Sequence, residues 1–228
     1  MALQPDSPRI SFVGRRDKRA VPRIHAITND AVLSSADFVE RARAVMDVLG
    51  TRGAVHLRAH ALPSSLFFRV AEELAHAQRE SESSLVINDR IDIALAAGAR
   101  GVQLTSHSIS VSDALTIAGG MLLGASVHTA RQAVEAARDG AHWLIAGSVY
   151  STPSHKGEKG KGEDFISEMA WCVQTPVIAI GGILPLHVRS LRSAGAHGVA
   201  VIRGIWDASD AAKAAADYLS VYDSDGDI

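Results

Sequence analysis

Eight short β-rich runs recur along the chain between Arg23 and Ile202, with helical segments filling the intervals between them. The runs are RIHAIT at 23–28, AVHLR at 54–58, SLVIN at 84–88, GVQL at 101–104, LLGAS at 122–126, WLIAG at 143–147, PVIAIG at 176–181 and GVAVI at 198–202. Segments such as ADFVERARAVMDVL, SLFFRVAEELAHAQ and ARQAVEAARDGA return apolar residues at helical spacing, and a last helix, ASDAAKAAADYL, follows the eighth run. VIAIG and WLIAG are apolar without alternation, the pattern of strands covered by helices on both faces, so the sheet is parallel. Eight such units in about 200 residues close into a (β/α)8 TIM barrel near the lower end of its size range. A doubly wound open sheet would carry fewer strands and an early glycine-rich dinucleotide turn, which this chain lacks. Glycines in AAGARG, RDGAHW and SAGAHG fall between a helix end and the next strand, where a left-handed cap is expected.

A chain of 228 residues that is 47% hydrophobic can bury one large α/β core. It divides into an N-terminal arm at 1–22, a barrel domain at 23–220 and a C-terminal tail at 221–228. The arm carries arginines but neither an apolar stretch of roughly 7–15 residues nor a small-residue cleavage site, so it does not read as a secretory signal. No window is long and apolar enough for a membrane helix. With 23 basic and 25 acidic residues, a net charge of -2 and no long single-sign block, nothing points to a nucleic-acid or membrane partner. The sole cysteine, Cys172, lies in the apolar helix FISEMAWCV and is expected to be a buried thiol, in keeping with a reducing cytoplasm. The expected partner is a small molecule, and the oligomeric state stays open, a homo-oligomer included.

Barrels of this kind place their reactive groups at the C-terminal ends of the strands and in the loops beyond. His128 directly follows the fifth run, and Thr129-Ala130-Arg131-Gln132 has the form of a capping box. A helix therefore starts at Thr129, leaving His128 in the turn above the barrel mouth. Ile180-Gly181-Gly182 and Ile202-Arg203-Gly204 follow the seventh and eighth runs, where glycine lets the main chain approach phosphate oxygens closely. The long loop SVYSTPSHKGEKGKGEDF carries Lys156, Lys159 and Lys161 and reads as a mobile cover offering cations to an anionic substrate. His76, His142, His187 and His197 fall in helices or at strand starts on the opposite face and read as structural. His25 and His56 lie inside the first two strands, where a core position is the default, and His107 sits in the loop after the fourth. No compact His-Glu-x-x-His spacing supports a zinc site.

These residues resemble the thiamine phosphate synthase/TenI superfamily of (β/α)8 barrels. The resemblance covers Arg23 to about Leu219 and is carried by HAIT, VHLR, VINDRIDIALAAGARGVQL, GASVHTARQAVEAARDGA, AGSVYSTPSHKGEKGKG, VIAIGGI and GVAVIRGI. It implies one of two activities. A synthase joins hydroxymethylpyrimidine diphosphate to thiazole phosphate using Mg²⁺, whereas a TenI-type tautomerase aromatises a carboxythiazole phosphate by a proton shift. Where synthases carry Gln-x-Arg-x-Lys, this chain has His56, Arg58 and His60, and for their two metal-binding aspartates it has Asp89 and Ser108. Their Thr-Lys-Lys becomes Ser154-His155-Lys156.

HAIT, VHLR, SVHT and the HKGEKGKG spacing look like TenI, so the resemblance implies a thiazole tautomerase of thiamine biosynthesis. His128 is then the base that moves the proton, and no cofactor is needed. A phosphorylated thiazole substrate would meet Arg58, His56, Asp89 and Gln103, with Ser126, Thr152 and Lys156 alongside. Gly181, Gly182, Arg203 and Gly204 would hold its phosphate. On this reading Asp89 caps the helix that follows it. The alternatives are a synthase with Mg²⁺ on Asp89, and a catalytically silent thiazole phosphate-binding or regulatory protein.

Overall fold

All eight apolar runs are strands in the computed structural model, which describes residues 21–152 and 159–224. They are β1 (Ile24–Ile27), β2 (Gly53–Leu57), β3 (Ser84–Asn88), β4 (Gly101–Leu104), β5 (Leu122–Val127), β6 (Trp143–Gly147), β7 (Val177–Ile180) and β8 (Gly198–Val201). Each pairs in parallel with its sequence neighbour, and β8 closes on β1. The helices are α1 (Asp30–Leu33), α2 (Phe38–Leu49), α3 (Ser64–Ser81), α4 (Ile91–Ala97) and α5 (Val111–Ile117), then α6 (Ala130–Arg138), α7 (Gly162–Cys172), α8 (Val188–Ser193), α9 (Arg203–Trp206) and α10 (Ala211–Asp223). Eight of them form the outer ring. The two four-residue helices, α1 and α9, follow β1 and β8 directly and belong to the loops at the C-terminal ends of the strands. Gly98, Gly140 and Gly195 take φ of 75°, 104° and 97°, the left-handed turn expected between a helix end and the next strand.

Strand side chains alternate, one set facing the helices and the other filling the barrel. Ile27, Ala54, Val86, Trp143, Ile145, Ile178 and Ala200 form the inner cluster, separate from the larger apolar layer under the helices. Buried polar side chains share that interior. Gln103, 1% exposed, accepts from Trp143 Nε1 at 2.8 Å and donates to Ser126 Oγ at 3.0 Å. Gly124 has to be glycine here, since a Cβ would overlap the Trp143 ring and Gln103 Oε1. His25 and His56 are fully buried and joined through Nδ1 and Nε2 at 2.8 Å. His25 Nε2 lies 3.1 Å from Pro22 O, which can only accept, so that nitrogen carries the hydrogen and Nδ1 accepts from His56. Full burial keeps both rings neutral. Burial pushes His25 down to about 3 and His56 well below the ordinary histidine range.

The barrel is longer at both ends than the 23–220 expected from sequence. Val21 is buried in the inner cluster and its carbonyl accepts from His197 Nε2 at 3.0 Å. At the other end α10 runs on to Asp223, because Tyr222 is needed: its hydroxyl donates to His197 O at 2.9 Å and its ring lies under Arg192 and Arg23. Cys172 is exposed rather than buried, because the buried stripe of α7 ends at Met169 one turn earlier. No helix among the described residues is long and apolar enough to cross a membrane.

Candidate active site

The loops at the C-terminal ends of the strands bring together most of the residues expected there. His128 is exposed in the turn after β5, and Thr129 caps α6 by accepting from Gln132 N at 3.2 Å. The reciprocal bond of the box is shifted by one residue: Gln132 Oε1 accepts from His128 N at 2.7 Å. His128 Nδ1 is 3.2 Å from Gly147 O, so it donates there and Nε2 is left as the acceptor. Ser126, one turn of the strand below, is half-buried. His56 and Gln103, both expected to touch substrate, instead lie in the closed interior, their polar atoms turned to His25 and to Trp143 and Ser126. They form the floor beneath the mouth.

Asp89 does not cap α4, as the sequence suggested. Its Oδ1 accepts from Thr105 Oγ1 at 2.6 Å, from Thr105 N at 3.2 Å and from Ser108 Oγ. The carboxylate thereby ties the β3 loop to the β4 loop, and its Oδ2 has no hydrogen bond to any described residue. Thr105 had no signal in the sequence, while Ser108 appeared there only as a missing aspartate.

Arg58 stands at the end of β2. Thr28, fully buried, fixes its backbone by accepting from Arg58 N at 2.9 Å, and the guanidinium makes no hydrogen bond to a described residue. Asp30 lies near enough to feel that charge. Its carboxyl is held below the usual range chiefly by the Ala61 and His60 amides, each 2.9 Å from Oδ1, with Arg58 adding to the effect.

Across the mouth, Gly181 and Gly182 take φ of 111° and 63°, and Arg203 and Gly204 open α9. A Cβ at Gly181 would overlap Ser148, and one at Gly182 would crowd Tyr150 and Ser151 O at 2.9 and 2.8 Å. Gly204 is pinned differently, by the Tyr218 hydroxyl that a Cβ would overlap. Gly182→Val combines a left-handed φ with that crowding. The expected result is a loss of about 2 kcal/mol, seen as a thermal midpoint roughly 4–8 °C lower, together with weaker binding of inorganic phosphate in a titration.

Of the loop after β6, Thr152 is half-buried, and Lys156 lies outside the described residues. The returning limb is docked: Lys161 N donates to Ser148 O at 3.0 Å, and Lys161 Nζ donates to His128 O at 2.7 Å while lying 4.3 Å from the Phe165 ring centre. Beside it sits a cluster the sequence did not signal. Tyr150 Oη and Ser190 Oγ both donate to Glu163 Oε1, at 2.6 and 2.7 Å. Those two bonds hold the Glu163 carboxyl below its usual range, and burial pushes the Tyr150 phenol up to about 12. His187, read from the sequence as structural, is in this cluster, its ring 4.2 Å from that of Tyr150. Among the described residues no group of three or more His, Cys, Asp or Glu side chains converges to hold a metal.

A family model described as thiamine monophosphate synthase matches residues 24–205, the whole span from β1 into α9. The chain belongs to that family. It is 34% identical over 165 residues to the thiamine-phosphate synthase of Pyrococcus abyssi, covering 72% of this chain and 80% of the relative. It is 30% identical over 194 residues to that of Clostridium tetani, covering 84% and 91%. The solved thiamine phosphate pyrophosphorylase from Pyrococcus furiosus superposes with a TM-score of 0.80 at 30% identity, over 90% of this chain and 98% of that one. Less similar barrels, such as 3-hexulose-6-phosphate synthase at 15% identity and a TM-score of 0.64, share the fold alone.

These relatives overturn the tautomerase expectation. It leaned on His128 and on short strand motifs, and a histidine after the fifth strand is compatible with either activity. It also leaned on Ser108 as a lost metal ligand, whereas the structure gives that side chain a place on Asp89.

Proposed function

We propose that the chain is a thiamine phosphate synthase, joining hydroxymethylpyrimidine diphosphate to a thiazole phosphate and releasing pyrophosphate. The family and the named relatives support this reading. The observation that carries it is the pair of charged groups at the mouth, the Arg58 guanidinium and Asp89 Oδ2, neither hydrogen-bonded to a described residue.

A diphosphate gathers negative charge as its bond to the pyrimidine methylene breaks. A planar guanidinium takes two of its oxygens at once, and does so best when the charge is fully developed. Asp89 Oδ2 is the oxygen suited to a divalent cation, since Mg²⁺ is commonly held by one or two carboxylates plus substrate phosphates. When bound, Mg²⁺ offsets charge on the departing diphosphate. The amides and glycines of Gly181-Gly182 and Arg203-Gly204 hold the acceptor by its phosphate, which turns an encounter of two substrates into a reaction within one site. The methylene carbon then bonds to the thiazole nitrogen, and pyrophosphate leaves with the electron pair of the broken C–O bond. His128, Ser126 and Thr152 line the rim between the two substrates.

The test is incubation with both substrates and Mg²⁺. Thiamine phosphate and pyrophosphate should appear in equal amounts, with a fall of about 10²-fold or more in EDTA. Saturable thiazole phosphate binding by calorimetry without any pyrophosphate release would overturn the proposal in favour of a silent binder.

A further inference from the structure

Three separate segments meet on one carboxylate oxygen. Tyr150 lies on the limb of the long loop that leaves β6, Glu163 opens α7 where that loop returns, and Ser190 stands in the first turn of α8. Glu163 Oε1 accepts from both hydroxyls, at 2.6 and 2.7 Å, short bonds strengthened by the acceptor's charge. Main-chain bonds bring the three together. Lys161 N donates to Ser148 O at 3.0 Å and Gly162 N to Val149 O at 2.9 Å, so the returning limb runs against the outbound one and carries Glu163 to Tyr150. Leu184 N donates to His187 Nδ1 at 3.1 Å as the chain turns into α8, and the His187 ring lies against that of Tyr150.

The turn that holds Gly181 and Gly182 runs between two of these segments. Val149 N donates to Ile180 O at 2.8 Å and Tyr150 N to Gly181 O at 3.0 Å, so the outbound limb lies along the glycines. Gly182 is exposed, and its amide donates to no described residue. Two adjacent glycines have many conformations open to them, and nothing in the pair itself selects this one. The selection comes from Tyr150 on one side and α8 on the other. We infer that Glu163 is a positioning residue for the phosphate end of the site, joining Tyr150 to Ser190 so that the Gly181-Gly182 turn is set before the thiazole phosphate arrives. It acts through those two hydroxyls and not by touching the substrate. The inference rests on the synthase reading for its substrate and on that turn as the phosphate holder.

Preorganisation of this kind is read as affinity for one substrate. If the turn keeps its binding shape only about a tenth of the time without Glu163, apparent affinity falls about tenfold. Glu163→Ala should therefore raise Kd for inorganic phosphate, measured by calorimetry, and KM for thiazole phosphate by about tenfold, with kcat and KM for the pyrimidine diphosphate within about twofold. Tyr150→Phe keeps the ring against His187 and loses one of the two bonds, so it should cost about threefold in the same two constants. Adding Tyr150→Phe to Glu163→Ala should cost nothing further, because the bond is already gone. Unchanged phosphate affinity in Glu163→Ala would overturn the inference, as would a loss shared equally by both KM values and kcat. Should Glu163→Ala fail to fold, Tyr150→Phe decides by the same split. Wild type that binds no phosphate removes the turn's role and the inference with it. Phosphate binding without thiamine phosphate formation refutes the synthase reading and leaves the titration to decide on Glu163, whereas a working synthase whose phosphate affinity ignores Glu163 refutes the inference alone.

Discussion

Lowering the pH from 6.5 to 5 is expected to remove at least about 1.6 kcal/mol of stability from this barrel, read as a thermal midpoint lower by about 3–6 °C or more. The cause is the His25–His56 pair. In the unfolded chain both imidazoles titrate near 6.5, while in the barrel burial keeps His25 neutral down to about 3 and His56 neutral well below its ordinary value. Between those limits the unfolded state binds more protons than the native one, so stability is complete above about pH 6.5 and falls as pH drops toward the folded values. From pH 6.5, where the unfolded imidazole is already half protonated, to pH 5, His25 contributes about 1.6 kcal/mol, and His56 adds to it in the same direction. Native proton uptake is opposed at both rings: His25 Nε2–H is committed to Pro22 O and its Nδ1 to the His56 N–H, and the remaining nitrogen, His56 Nδ1, is fully buried. A charge there would be buried beside Trp143, whose ring centre is 5.9 Å from that of His25. Differential scanning calorimetry across pH 7.5–5 measures the slope. Replacing both histidines by leucine removes donor and acceptor together, so the variant should fold with a nearly flat profile. A flat wild-type profile, or an equal slope in the double variant, would show that the pair is not the source.

The architecture was legible because a parallel barrel writes itself into the chain as runs of continuous apolar residues at regular intervals. WLIAG and VIAIG could be nothing but doubly covered strands, and all eight runs landed within a residue or two of the observed bounds. Position in the repeat then placed His128, Asp89, Arg58 and the two glycine loops at the mouth. What sequence could not supply was direction across the strand. His56 and Gln103 sit two residues before Arg58 and Thr105, on the same inward-facing set, and only the closure of the barrel shows that this depth is filled by His25 and Trp143. The same limit hid Asp89's partners. Thr105 and Ser108 are ordinary turn residues until the β3 and β4 loops meet, and a serine in place of an aspartate looked like lost function when it was a donor. The Tyr150, Glu163 and Ser190 contacts join residues 13 and 27 apart through loops with no periodicity to read.

Replacing Arg58 by alanine is expected to lower kcat/KM for thiamine phosphate formation by about 10²–10³-fold, the range seen when one preorganised charge-stabilising donor is removed. Preorganisation is visible in the backbone. Thr28 Oγ1 accepts from Arg58 N at 2.9 Å and sits 3.4 Å from Arg58 O, so both sides of the residue are fixed from a fully buried side chain. The guanidinium itself is left without a bonded partner among the described residues, with Asp30 near enough to balance it but turned to the His60 and Ala61 amides. A cation held in this way is ready for an anion that appears during the reaction, so most of the loss should fall on kcat and less on KM. Arg58→Lys keeps the charge but not the planar fork, and should recover about tenfold of the loss. Thr28→Val keeps the volume but removes both contacts, and should cost about tenfold in kcat by letting the arginine wander, with Thr28→Ser restoring it. Steady-state kinetics on the four variants decide the matter. An Arg58→Ala enzyme whose kcat stays within about threefold of wild type would mean that diphosphate departure draws its stabilisation from elsewhere, since a lost transition-state contact of this kind cannot leave kcat untouched.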